Sequence, residues 1–270
     1  MATVLTPTAP PAALNGNLYR FGLLLRTNAR LFVRNRTALF WSVAFPIGLV
    51  LLFGTIFGNQ PGLDSKVYIA YLTSGMIVVS LLANGLIGNA STMAVWRERG
   101  ILQRIQATPL PLWQFLLARI VTQSAIMVIQ AFILIATSIV AFGASYTVGN
   151  VISAVPAVVA GALLFMALGQ AVAALVRKAD TVAIVTQVIY FPLLFLGGLM
   201  IPVSQLPAPL QTVGAYLPSA LIADLIRAPL IGTHLSGIAM TTLPLTTDLL
   251  GAIVYFVAAI VVATRFFKWR

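Results

Sequence analysis

The 270-residue chain has no cysteine, one histidine and five acidic residues, and each scarcity removes a class of chemistry. Without cysteine there is no disulfide framework, thiol nucleophile or thiolate metal site. One histidine, His234, and five carboxylates do not furnish a multi-ligand metal centre. No serine, histidine and acid combination has catalytic character, and His234 reads as a loop histidine without a chemical role. A nucleotide-binding loop is missing too: the only lysines are Lys66, Lys178 and Lys268, preceded by Ser65, Arg177 and Phe267, so no G-K-[ST] sequence exists. Charge is scarce in general. Charged residues make up 8% of the chain and hydrophobic ones 60%, with a mean hydropathy of +1.01. An ordinary soluble domain carries about 25% charged residues and is excluded.

What charge there is has a pattern. The Lys and Arg residues number 16 and the formal net charge is +11. All but Lys66 and Arg227 fall in four groups: Arg20, Arg26, Arg30, Arg34 and Arg36; Arg97, Arg99, Arg104 and Arg119; Arg177 and Lys178; and Arg265, Lys268 and Arg270. Long apolar runs separate the groups. Basic residues beside membrane-spanning helices stay in the cytoplasm, so the groups mark the inside and predict an even number of crossings with both termini cytoplasmic. The positive charge therefore reads as a topology determinant that also favours anionic headgroups, and nucleic acid is not an expected partner.

A helix needs about 20 apolar residues to cross the hydrocarbon core. Six segments qualify: 38–57, 68–94, 115–143, 151–176, 181–201 and 249–264. Phe266, Phe267 and Trp269 extend the last into an aromatic and basic anchor. Residues 1–16 hold three prolines and no charge, and are expected to form a flexible cytoplasmic tail. The rest reads as one domain without internal repeat.

Three segments outside the spans are more informative. In 17–36, Leu18, Phe21, Leu25, Ala29 and Phe32 share one helical face while Arg26, Arg30 and Arg34 form a separate stripe. Such a helix lies flat in the cytoplasmic interface, as a simple anchor or as a docking element. The loop 96–112 leaves the second span through Arg97, Glu98, Arg99 and Gly100, where glycine permits a sharp turn. Leu102 and Ile105 then form a short apolar face beside Arg104, suited to a partner or to the chain's own bundle. The segment 202–248 is external yet largely apolar, and Pro202, Pro207 and Pro218 help to cut it into pieces. One or two short re-entrant helices are expected there, with Asp224 and Arg227 three apart and able to pair.

Polar residues within the spans are few. Asn84, Gln123, Gln130 and Gln187 are candidates for a substrate pathway, although hydrogen bonds between helices explain such residues more often. Acidic residues are absent from the middle of the spans, which disfavours coupling to protons or sodium. Energy for uphill transport would then enter through another polypeptide.

Two motifs bring a resemblance. The run 97–120, RERGILQRIQATPLPLWQFLLARI, and the run 191–230, FPLLFLGGLMIPVSQLPAPLQTVGAYLPSALIADLIRAPL, together with the basic amphipathic helix before the first span, resemble the membrane subunit of an ABC-2 type exporter. The resemblance covers nearly all of the chain from residue 17. It implies an all-α polytopic membrane protein of six transmembrane helices in a bacterial inner membrane, with an N-terminal interfacial helix and external re-entrant helices after the fifth span. It also implies a cytoplasmic ABC ATPase in two copies as partner, a second membrane subunit (a homodimer), and ATP and Mg bound on the ATPase rather than on this chain. Within that resemblance 98–108 is a coupling helix, with Glu98, Arg99, Gly100, Leu102, Arg104 and Ile105 as the ATPase-coupling surface. The implied activity is export of a hydrophobic or amphipathic drug, antibiotic or lipid-like substrate by alternating access. Export of a lipid-linked polysaccharide is the second choice, and an ATP-independent channel or carrier the third.

Overall fold

Apolar runs of this length have no water to satisfy their peptide groups in a bilayer, and a helix satisfies them internally. The computed structural model is accordingly almost all helix. It describes residues 17–58, 65–107, 112–200, 203, 206–231, 234–235, 238–239 and 243–266. The tail at 1–16, Pro202 and the aromatic anchor beyond Phe266 lie outside the described residues.

The chain opens with α1 (Asn17–Arg34) and a short α2 (Arg36–Leu39). A π-helical turn, Phe40–Ala44, leads into α3 (Phe45–Phe57), and together they form the first span. The second span is continuous over Ser65–Glu98: α4 (Ser65–Leu81), a π-helical stretch at Leu82–Gly88 and α5 (Asn89–Glu98). After α6 (Ile101–Gln106) come three further spans, α7 (Leu112–Phe142), α8 (Val148–Leu175) and α9 (Ala179–Leu196). Then α10 (Ala208–Ala215) and α11 (Pro218–Ile231) meet at 75°. The last span is α12 (Leu245–Phe266). Among the described residues six helices are thus long and apolar enough to cross a membrane, as expected from the sequence. One pairing is not helical: His234–Leu235 runs antiparallel to Ile238–Ala239.

The second span is the axis of the bundle. It has 34 residues, or about 50 Å of helix, well beyond the roughly 30 Å of hydrocarbon. It is buried along almost its whole length, with α3, α7, α8 and α11 around α4, and α8 and α9 against α5. In a bilayer no hydrophobic drive separates helix from lipid, so close van der Waals contact of small residues holds such a bundle. Gly85, in the π-helical stretch, faces Gly169 of α8, and a Cβ on Gly169 would lie 2.5 Å from the Gly85 carbonyl oxygen. The π-helical widening lies where these two backbones meet. α12 packs on α8 and α11, and α1 lies along α7.

The alternation of crossings gives the bundle two ends. α1, α6, the 176–178 connection and the end of α12 share one, the basic end. The 143–147 connection, α10 and α11 share the other.

Candidate functional site

At the basic end the second span stops at Glu98, and Gly100 adopts a left-handed conformation with φ of 65°. That value suits glycine, and it reverses the chain into α6 without strain. The turn is closed by Gly100 N–H donating to the Arg97 carbonyl at 3.1 Å. Arg99, just before the turn, and Gln103 and Arg104 on α6 are exposed, and Ile105 is half-buried.

Leu102 corrects an expectation. Placed by sequence on a partner-facing surface, it is only 1% exposed and is held within the chain's own bundle. The α6 surface left open to a partner is therefore polar and basic. Glu98 is exposed, and its Oε1 accepts at 2.6 Å from the N–H of Ala179, the first residue of α9. Beside it Arg97 donates to the carbonyls of Ala173, Val176 and Arg177, each at 2.7 Å. Two consecutive residues thus hold the C-terminus of α8 and the N-terminus of α9. The charges suit the two helix dipoles, cation at the C-terminal end and anion at the N-terminal end.

α1 places Arg26, Arg30 and Arg34 in the open, as the arginine stripe predicted. Its apolar face is not wholly given to lipid: Phe21, Leu25, Ala29 and Phe32 are half-buried where the helix lies along α7.

The polar residues of the spans divide sharply. Asn84 and Gln130 are both buried, and the Asn84 amide donates to Gln130 Oε1 at 3.1 Å and to the Ser80 carbonyl at 2.9 Å. The pair ties the second span to the third instead of lining an open path. Gln123 is half-buried, while Gln187 is exposed near the middle of α9. Closer to the basic end, Arg119 of α7 sits 4.5 Å from the Trp96 ring centre and donates to Asn89 Oδ1 at 3.3 Å from both Nε and Nη2. Asn89 in turn donates to the Met166 carbonyl at 2.9 Å, so one chain of contacts joins three spans.

At the opposite end Asp224 and Arg227 pair at 3.2 Å, as their spacing predicted. The pair is not on a surface: Arg227 is 1% exposed and Asp224 fully buried. Arg227 also donates to Ser74 Oγ at 3.2 Å and to the Gly198 carbonyl at 2.6 Å. Asp248 is fully buried in the first turn of α12. Pro207 is exposed ahead of α10, and Pro218 is buried at the start of α11. In the 143–147 connection, burial raises the Tyr146 phenol above its ordinary value, opposed by hydrogen bonds to Ser138 and Thr73. Among the described residues no group of three or more His, Cys, Asp or Glu is placed to hold a metal ion.

A bundle of six spans with a short polar helix after the second and a bent helix pair after the fifth has a counterpart among known proteins. Residues 19–231 match the ABC-2 type transporter family. The chain belongs to that family. This ABC-2 permease is 31% identical over 196 residues to the Bacillus subtilis (strain 168) protein named as a transport permease, YvfS, covering 69% of the chain and 76% of the relative. It is 28% identical over 207 residues to Nodulation protein J of Rhizobium leguminosarum bv. viciae, covering 73% and 75% of the two chains. The same-named protein of Sinorhizobium fredii (strain NBRC 101917 / NGR234) is 27% identical over 196 residues, covering 72% of each. The permease is thus a multi-pass membrane protein that acts in transport as part of an ABC transporter, a family whose membrane subunits pair with an ABC ATPase.

Sequence reasoning passed over several of the permease's structural contacts. Tyr71 and Ser74 carry no motif of their own. The one available signal was the position of Arg97 beside Glu98 at the end of an overlong span.

Proposed function

We propose that the permease is the membrane-spanning half of an ATP-driven exporter that moves a hydrophobic or amphipathic drug, antibiotic or lipid-like molecule out of the cytoplasm or inner leaflet. Two copies would assemble with two cytoplasmic ATPase subunits that bind ATP and Mg, with both termini on the cytoplasmic side of a bacterial inner membrane. The observation behind this reading is the polar helix α6, displayed by the Gly100 turn at the basic end of the longest span, in a chain of the ABC-2 family. Arg99 beside the Gly100 turn, Arg104 on α6 and Arg26, Arg30 and Arg34 on α1 give that end the exposed cations that an acidic groove would engage.

A second copy is supported by α9. Ile184, Val188, Phe191 and Phe195 form an exposed stripe, and Gln187 beside them exposes an amide near mid-span. An amide in hydrocarbon gains from a hydrogen-bond partner on another helix, and the same helix of a second copy supplies one. For the substrate, two of the residues that would bind a polar solute, Asn84 and Gln130, bond to each other instead. The side chains that meet among α4, α7, α8 and α11, including Ile77, Val128, Phe132, Val158 and Ile226, are apolar. The relatives named for nodulation give weight to a second reading, export of a lipid-linked polysaccharide.

Gentle purification of the tagged permease from its native membrane tests the proposal, with mass spectrometry of what stays bound. A stoichiometric ATPase with a phosphate-binding loop supports it. A permease that retains no ATPase and still transports without ATP points to a channel or carrier.

A further inference from the structure

The clamp made by Arg97 and Glu98 has a geometry that ordinary helix capping does not require. A helix is usually capped by a side chain at its own N-terminal boundary. Here Lys178 occupies that position in α9 and makes no side-chain cap, while the acceptor comes from Glu98, 81 positions earlier. The C-terminus of α8 is likewise held from a distance, by an arginine 76 to 80 positions away. Only residues 176–178 lie between the two held ends. On the other side of the clamp, Gly100 follows after a single residue, and α6 begins at once. Leu102 of α6 is itself buried, and α6 packs against α5.

We infer that Arg97 and Glu98 are positioning residues that make α6 and the α8–α9 turn one mechanical unit, so that a push on α6 is delivered to the fourth and fifth spans together. The inference rests on the proposed function, in which an ATPase supplies the push. It gives Glu98 a task beside any contact with that ATPase: one carboxylate oxygen accepts from the chain's own backbone. A displacement can favour one of two packings only if the element that receives it is tied to the elements that repack. Three carbonyls held by one guanidinium, and one peptide N–H held by the next residue, are such a tie.

The chain has no cysteine, so Gln103→Cys on α6 and Lys178→Cys in the turn accept a pair of spin labels without further engineering. The distance between them is measured in the complex with its co-purified ATPase, with and without ATP, Mg and vanadate. With labelled permease diluted into unlabelled permease, so that a complex carries one labelled copy, the expected result is one narrow distance that nucleotide leaves unchanged. In Glu98→Ala the distance should broaden and shift on adding nucleotide, while ATPase binding is retained. Glu98→Gln should restore the single distance, since its amide oxygen still accepts from Ala179. Arg97→Lys should not preserve it, because an ammonium lacks the planar fork that reaches separate carbonyls. Retention of the narrow, nucleotide-insensitive distance in Glu98→Ala and Arg97→Lys overturns the inference. So does loss of ATPase binding in Glu98→Ala, which makes Glu98 a docking residue. A wild-type complex that holds no ATPase overturns the functional reading, an outcome told apart by the wild type alone.

Discussion

The guanidinium carbon of Arg227 lies 3.7 Å from the centre of the Tyr71 ring, and both side chains bond to the same carbonyl, that of Gly198. The two residues belong to α11 and to the axial second span. An arginine from the bent helix pair therefore reaches the centre of the bundle and is met there by an aromatic face, a serine, a carbonyl and Asp224. A buried cation is tolerable only with that degree of satisfaction.

Arg227→Ala should be among the most damaging substitutions in the permease. It breaks the buried pair with Asp224, a loss of about 3–5 kcal/mol. Thermal unfolding of the detergent-solubilised protein checks this, and Asp224→Ala combined with Arg227→Ala should unfold at a higher temperature than Arg227→Ala alone.

Asn84→Leu and Gln130→Leu should each cost stability without altering substrate preference. Hydrogen bonds between membrane helices are worth about 0.6–1.7 kcal/mol, and a double-mutant cycle should show the two losses are not additive. Transport altered at unchanged stability would return the pair to the substrate pathway.

Gly169→Leu should prevent close approach of α8 to the second span, because even a Cβ there meets the Gly85 carbonyl oxygen at 2.5 Å. Overpacking of this kind costs about 1–3 kcal/mol or more. Loss of folded protein in membranes is the expected readout, whereas Gly149→Ala, near the open start of α8, should express normally.

Asp248→Asn should be neutral or stabilising. Both carboxylate oxygens of Asp248 are buried without a hydrogen-bond partner among the described residues, so removing the charge relieves a desolvation cost. A clear fall in unfolding temperature would show instead that the carboxylate is held by water or by an ion.

Local features were legible in the sequence. The Asp224–Arg227 pair lies on one helix, where a spacing of three is enough to bring side chains together. The Gly100 turn was legible because a sharp reversal after Arg97, Glu98 and Arg99 calls for the one residue that accepts positive φ. The site was less so. Leu102 looked like part of an exposed face, and only the packing of α6 on the bundle shows it buried. Glu98 looked free because its acceptor role depends on where Ala179 falls. Asn84 and Gln130 are 46 positions apart, and their meeting depends on how two helices are rotated and staggered.

The number of crossings, their approximate limits, the helix before the first span and the bent helices after the fifth were determined by sequence alone. Each follows from a local demand, because bilayer thickness and internal peptide hydrogen bonding act on one segment at a time. Which polar groups meet, and so which are structural and which remain free for a partner, was decided only by the tertiary structure. Rotation and register of a helix are set by the fit of small residues such as Gly85 and Gly169 against neighbouring backbone, and that fit is a property of pairs of helices.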